Sequence, residues 1–313
     1  MDFDLTPDQQ ALREAIVRIV DDNRDLPRSG GVVEPRAFHP ATAMEQAFAA
    51  GGYFDIALEP GCGAVEAAIL VYEAALSPLV LELGGAALVA PLLTGEALAR
   101  PVAMARAQDL MRGVRFLGEA RTVLVDCGAD VAVLDMTGRE VAPLDSPYAY
   151  PLGRLAAAPD LSAVRKLPGK GAELRRLWRI ALALEIAAAM EATVQFTTDY
   201  VKQRQVFGRP VGSFQAVQHR LSADAVKSRG IYWLAMKAAW SASPLDAALA
   251  ALHAQRAIPD VTYDAHQFNG ALGMTLEHAL HCWTFRLRWL QGEMGGQRGH
   301  AAEVAALAWP DAA

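Results

Sequence analysis

Apolar and polar positions divide the chain into three textures. Up to about residue 100 the spacing is helical. Thr6 is placed to cap a first helix, with Pro7 at its first position and Asp8 in its first turn. Behind them Leu12, Ile16, Ile19 and Val20 fall on one face. The stretch "NRDLPRSGGVVEPRAFHP" at 23–40 reads as loop, and helical patches return at 41–51, 63–77 and 79–98. From 101 to about 165 the runs "VRFLGEA", "RTVLVDC" and "DVAVLDM" are strand-like, "MTGRE" reads as a hairpin tip, and "PLDSPYAYPLGRL" as an irregular exit. From 166 onward helical spacing resumes. The apolar pattern across 172–206 is long for a globular helix and stops at Gly208 and Pro210. Ser213 is placed to cap a helix running to about 241, and Ser243-Pro244 opens another that Pro259 should kink or split. "FNGALGMTLEH" reads as a turn, with Thr275 capping a helix from 276 to about 292, and an Ala-rich helix closes the chain.

The order is helices, a small sheet, then long helices. It predicts a mostly α chain in three parts: a helical domain at 1–100, a reduced β domain at 101–165 and a four-helix bundle at 166–313. Strand–helix alternation, G-x-G-x-x-G and the Walker A pattern are all absent, which disfavours a doubly wound nucleotide fold. At 313 residues, 53% of them hydrophobic, the chain can bury a large core. Net charge is −6 with no basic run, which argues against nucleic acid as a partner. Three scattered cysteines suit a reducing cytoplasm better than a disulfide framework. The acidic start does not resemble a signal peptide. Glu73, Pro78 and Glu82 interrupt one apolar stretch and Glu185 and Glu191 another, so both read as buried helices, with no membrane role.

Three short stretches carry candidate chemistry. "RQVFGRPVGSFQ" at 204–215 gathers Arg204, Arg209 and Gln215 around a Gly-x-Pro break. It reads either as a solvated turn or as an anion grip, because a guanidinium is a rigid fork suited to pyrophosphate oxygens and Phe207 offers a face to a planar ring. "HQFNGALG" at 266–273 is a turn whose Gly270 would also let backbone approach a dinucleotide, with Gln267 bonding its sugar or phosphate. "EHALHC" at 277–282 imitates a metal site, but one helical turn supplies too few convergent ligands, so no metal is expected. No G-x-S-x-G and no signature of a catalytic thiol occurs.

Together, "YVKQRQVFGRPVGSFQAVQHRLSADAV" and "HQFNGALGMTLEHALH" resemble the two C-terminal signatures of the acyl-CoA dehydrogenase family. The first resembles R-x-x-F-G-x-P-x-x-x-F-Q and the second Q-x-x-G-G-x-G-x-x-x-E, in the family's order. "MDFDLTPDQQALREAI" also resembles the start of many members. The resemblance implies an acyl-CoA dehydrogenase-like fold and a turn that reaches across a dimer interface to hold the ADP half of FAD. It places Arg204 at the pyrophosphate, Phe207 on the adenine side with Gln215 supporting it, and Gln267, Gly270 and Ala271 on another side of an FAD. It places Arg179 at the CoA part of the substrate.

The family's chemistry removes an α-proton with a glutamate and passes a β-hydride to the flavin. The two places for that glutamate fall here on Met294, with Glu293 beside it, and on Trp178. Glu293 is therefore the one candidate base. The middle segment holds only Thr122 and Thr137 where the family bonds its flavin ring through Thr/Ser-rich strands, and Ala271 replaces the second glycine. These departures resemble the short subunit of the α2β2 enzymes of actinobacterial steroid side-chain degradation. Such a subunit lacks the base and completes the FAD site of a longer homologous subunit. The resemblance further implies an acyl-CoA substrate, a bulky one, and an electron-transfer flavoprotein as acceptor. A homo-oligomer using Glu293 or a displaced carboxylate as base, or a flavin-free scaffold binding CoA ester or partner protein, remain the alternatives.

Overall fold

Helix α1 (Pro7–Asn23) begins on a reciprocal cap. The Thr6 hydroxyl accepts the Gln9 N–H at 3.2 Å and the Gln9 side chain accepts the Thr6 N–H at 3.0 Å. The computed structural model describes residues 4–310, so the first three residues of the opening motif lie outside the described residues. Ile16 and Val20 are buried, with Leu12 and Ile19 packed against the same core. The stretch 23–40 is not all loop. Strands β1 (Arg28–Ser29) and β2 (Val32–Val33) pair across Gly30 and Gly31, both at positive φ. Helices α2 (Thr42–Ala50) and α3 (Ala64–Ala75) follow. Residues 79–98 are not one helix: a π-helical turn at Gly84–Val89 leads into α4 (Ala90–Thr94). A Cβ on Gly85 would sit 2.2 Å from the Val102 carbonyl oxygen, so only glycine lets this turn approach the sheet.

Seven strands follow: β3 (Val102–Arg106), β4 (Val114–Arg115), β5 (Thr122–Asp126), β6 (Val131–Asp135), β7 (Val141–Leu144), β8 (Leu152–Leu155) and β9 (Arg165–Leu167). They form a four-stranded sheet in the order β3-β5-β6-β9 and a three-stranded sheet in the order β4-β8-β7. Three expectations change here. "VRFLGEA" yields only two strand residues, because Phe116 turns away at φ 61°. "MTGRE" does not join paired strands, since β6 pairs with β5 and β9 while β7 crosses to the other sheet. "PLDSPYAYPLGRL" contains the end of β7 and all of β8, with Pro143 tolerated because β7 is an edge strand.

Helix α5 (Gly171–Gln203) is 33 residues long. A two-residue hairpin, β10 (Gln205–Val206) against β11 (Arg209–Pro210), turns the chain into α6 (Gln215–Ser241). Helices α7 (Pro244–Asn269), α8 (His281–Leu290) and α9 (Gly296–Ala308) complete the chain. By length and composition α5 could span a bilayer, contrary to the sequence expectation, but 72% of its most apolar window is buried within the chain. It packs against α3, α6, α7 and α8. The chain's own helices cover most of α5, while Val226 and Trp240 of α6 and Tyr263 of α7 stay exposed.

Ser243 caps α7 as expected, accepting the Asp246 N–H at 3.2 Å. Ser213 does not cap α6: its hydroxyl donates to the Pro210 carbonyl at 2.7 Å and Phe214 takes the cap position. Pro259 does not split α7, which runs on through it with the proline on its exposed side. Thr275 caps no helix either. Its hydroxyl donates to the Leu272 carbonyl at 2.9 Å, and α8 starts only at His281.

Candidate functional site

Short connections make α5, α6 and α7 antiparallel neighbours, so the 204–214 turn and the 270–280 turn share one end of the bundle. Side chains tie that end together. Asn269 donates to the Thr197 hydroxyl at 3.0 Å, and Arg220 Nε donates to Asp264 at 2.8 Å.

The first motif stands open there. Arg204 ends α5 in an extended conformation, and its carbonyl accepts the Val211 N–H at 2.8 Å. Its guanidinium is exposed and, among the described residues, has no partner. Phe207 is held at φ 52° and is 92% exposed, an unusual cost for a large apolar ring. Arg209 lies 3.9 Å over the Phe214 ring, which fixes the far side of the turn, and Gln215 is exposed as the first residue of α6. In the second motif Gly270 ends α7 at φ 61°, with Gln267 and Ala271 exposed beside it. Gln267 and Gly270 line an open groove of about 660 Å³ with Tyr263, Met274, Phe285 and Arg288. The structure thus brings Arg204, Phe207, Gln215, Gln267, Gly270 and Ala271 to one end of the molecule.

"EHALHC" is structural. His281 points its ring nitrogens at the carbonyls of His278 and Arg36, 2.9 and 3.1 Å away, and Phe196 packs edge-on against His278. Among the described residues no group of three His, Cys, Asp or Glu side chains converges to hold a metal ion.

Glu293 lies elsewhere, in a cavity of about 340 Å³ between β3, β4, α5 and the 288–294 segment. The two positions where the resemblance puts a base meet here, because Trp178, Glu293 and Met294 all line the cavity. Trp178 Nε1–H donates to Glu293 Oε1 at 2.7 Å. Arg115 Nη2 donates to the same oxygen at 3.0 Å, and its Nε lies 2.8 Å from Oε2, close enough for an ion pair though not aligned as a hydrogen bond. The other edge of the guanidinium donates from Nη1 to Glu185 Oε2 at 2.8 Å, and Tyr150 lies against its face at 4.7 Å. Gln255 Nε2 donates to the carbonyls of Leu290 and Glu293, at 2.8 and 2.9 Å, which fixes the turn.

The electrostatics follow from burial. Burial opposes the charge on Arg115, but Glu185 and Glu293 outweigh it and hold the guanidinium firmly protonated. Burial raises the Glu185 pKa although Arg115 works against it. Glu82, deeper in the wall, is pushed up to about 7 by burial, even though its oxygens accept the Gly85 and Val102 N–H groups at 2.7 and 3.2 Å. The arrangement places an arginine held by two carboxylates, not a free base, in the cavity wall.

Arg115 and Glu185 escaped sequence reasoning. Arg115 sits in a strand-like run where an arginine reads as a solvent-facing residue, and its partners are 70 and 178 positions away. Glu185, on a helix otherwise apolar there, was the available signal: a carboxylate deep in a core helix needs a cation. Arg179 is not brought to either site. It is buried between α5 and α9, paired with Glu303 at 3.3 Å and near His300.

Residues 176–304 match the family described as acyl-CoA dehydrogenase, C-terminal domain. Over 104 residues, 33% of each chain, the protein is 36% identical to acyl-CoA dehydrogenase IpdE2 of Mycobacterium tuberculosis. The chain spans about a quarter to a third of the length of the curated relatives it matches, 26% and 33% for two of them. A chain of the ChsE4-ChsE5 complex from Mycobacterium tuberculosis superposes with a TM-score of 0.79 at 20% identity, covering 99% of both chains. The steroid ACAD Tcur3481-Tcur3483 gives a TM-score of 0.76 at 21% identity, covering 97% of this chain and 98% of that one. Residues 176–304 are therefore an acyl-CoA dehydrogenase C-terminal domain, in a chain that has the acyl-CoA dehydrogenase fold throughout.

Proposed function

We propose that the chain is a non-catalytic, half-site subunit of an FAD-dependent acyl-CoA dehydrogenase, and that it completes the flavin site of a longer homologous partner. The observation that carries this reading is the contrast between the two sites. The bundle end presents an unpaired guanidinium and an exposed ring, groups suited to a pyrophosphate and an adenine supplied from outside the chain. The chain's own cavity does not fit a flavin ring and a base. Arg115 lines its wall as a charge held by two carboxylates, Glu293 is engaged by Arg115 and Trp178, and Thr122 donates its hydroxyl to the Ala99 carbonyl at 2.8 Å. Arg204, Phe207 and Gln215 would hold the ADP half, with Gln267, Gly270 and Ala271 lining its other side. Arg179 would meet CoA only after leaving Glu303, so its assignment is the weakest supported. The flavin, when bound, would supply hydride acceptance; α-proton removal would fall to a partner residue.

The substrate would be a bulky acyl-CoA thioester. The steroid ACAD with the same fold supports a steroid-derived acyl chain, and the two-protein ChsE4-ChsE5 complex supports a heterotetramer. Electron-transfer flavoprotein as acceptor, a cytoplasmic location, and the division into units at 1–100, 101–165 and 166–313 belong to the same reading. Glu293→Gln tests it. In the assembled complex, turnover should stay within about twofold of the parent. A loss of ~10²-fold or more would mark Glu293 as a working base and a chain that does its own chemistry.

A further inference from the structure

We propose that Glu185 and Glu293 form a receptor for a planar cation, and that Arg115 is its tethered resident ligand. The contacts are those of a guanidinium site rather than of a single ion pair. One edge of the guanidinium meets Glu185 at 2.8 Å, a second edge meets both oxygens of Glu293 at 2.8 and 3.0 Å, and the Tyr150 ring covers a face at 4.7 Å. A flat fork with five N–H donors can satisfy two carboxylates and an aromatic wall together, whereas a point-charge ammonium cannot. Arg115 and Tyr150 are 9% and 6% exposed, and the Glu185 and Glu293 side chains 14% and 10%. The acids come from α5 and from the turn before α9, and the cation comes from β4, so occupancy of the receptor joins the sheet to the bundle. Trp178 Nε1–H donates at 2.7 Å to Glu293 Oε1, the oxygen that also accepts Arg115 Nη2, and so holds the carboxylate against the cation.

This deepens the proposed function: on that reading, a subunit without its own chemistry keeps a resident cation in the wall of its cavity. The receptor itself is a property of the full chain and is tested without flavin. Arg115→Ala removes the ligand and leaves two buried carboxylates without a cation. We expect its melting temperature to fall by roughly 6–15 °C. Methylguanidinium chloride at about 10 mM should recover a saturable part of that loss, since binding to the folded state alone raises its stability. Equal concentrations of methylammonium chloride and sodium chloride should recover little. Adding Glu185→Gln and Glu293→Gln to Arg115→Ala should abolish the selectivity for guanidinium. If Arg115→Ala does not fold, refolding in methylguanidinium should yield folded chain where methylammonium does not, and Arg115→Met with both Gln substitutions should fold unaided. No recovery, or equal recovery with all three cations, would overturn the receptor, as would a neutral triple variant as damaged as Arg115→Ala. These outcomes do not depend on flavin content, so the receptor and the flavin-site reading fail separately.

Discussion

Arg204→Ala is expected to weaken flavin retention in the assembled complex by roughly 10- to 150-fold. A guanidinium bonded to two phosphate oxygens contributes ~1.5–3 kcal/mol through charged hydrogen bonds, and each 1.4 kcal/mol is about tenfold. The structure leaves this side chain available, exposed at the end of α5 with no partner among the described residues. Arg204→Lys should recover only part of the loss, because an ammonium cannot reproduce the fork. An arginine that merely caps helix carbonyls would contribute about 0.3–1 kcal/mol of stability instead. Bound flavin and melting temperature measured on the same samples separate the two roles. Lower stability with unchanged flavin would reject the grip.

A second large effect is expected from His300, on α9. It is fully buried, both ring nitrogens lack partners among the described residues, and burial aided by the Arg179 charge lowers its pKa from 6.5 to about 4. Between those values the unfolded chain takes up a proton that the folded chain refuses. The stability that depends on neutral His300 is therefore complete above about pH 6.5 and is lost as pH falls toward 4. The loss should reach about 2 kcal/mol at pH 5. His300→Leu should remove this acid sensitivity, so its advantage over the parent grows by about that amount between pH 7.5 and pH 5. Urea unfolding at the two pH values reads it, and an advantage independent of pH would show that His300 is not the sensing group.

The parts of the fold legible in sequence were those governed by local chemistry. Thr6-Pro7 and Ser243-Pro244 are caps whose partners lie within three residues, and both helices start there. Helix α5 was legible from its apolar run, but it ends at Gln203, and Gly208 and Pro210 lie in the hairpin that follows instead of capping it. Its packing was not, because apolarity reports how much surface must be buried and not which chain buries it. Strands β7 and β8 were missed since Pro143 and Gly153 weaken any strand signal, and their pairing joins segments apart in sequence. Thr275 followed a cap pattern but turned back on Leu272, which delayed α8 to His281.

The bundle-end residues were legible because their motifs are contiguous. The cavity was not. Its defining residue, Arg115, takes meaning only from Glu185 and Glu293, which the fold alone brings to it. The one-residue offset that left Glu293 as a candidate base has a structural counterpart in its pairing with Arg115 and Trp178.

Flavin stoichiometry is the direct test of the account. The chain should be co-expressed with its longer homologue and the purified complex assayed for FAD against each polypeptide. The account predicts one FAD per heterodimer, none retained by this chain purified alone, and its loss from the complex with Arg204→Ala. One FAD per copy of this chain, retained without a partner, would contradict it.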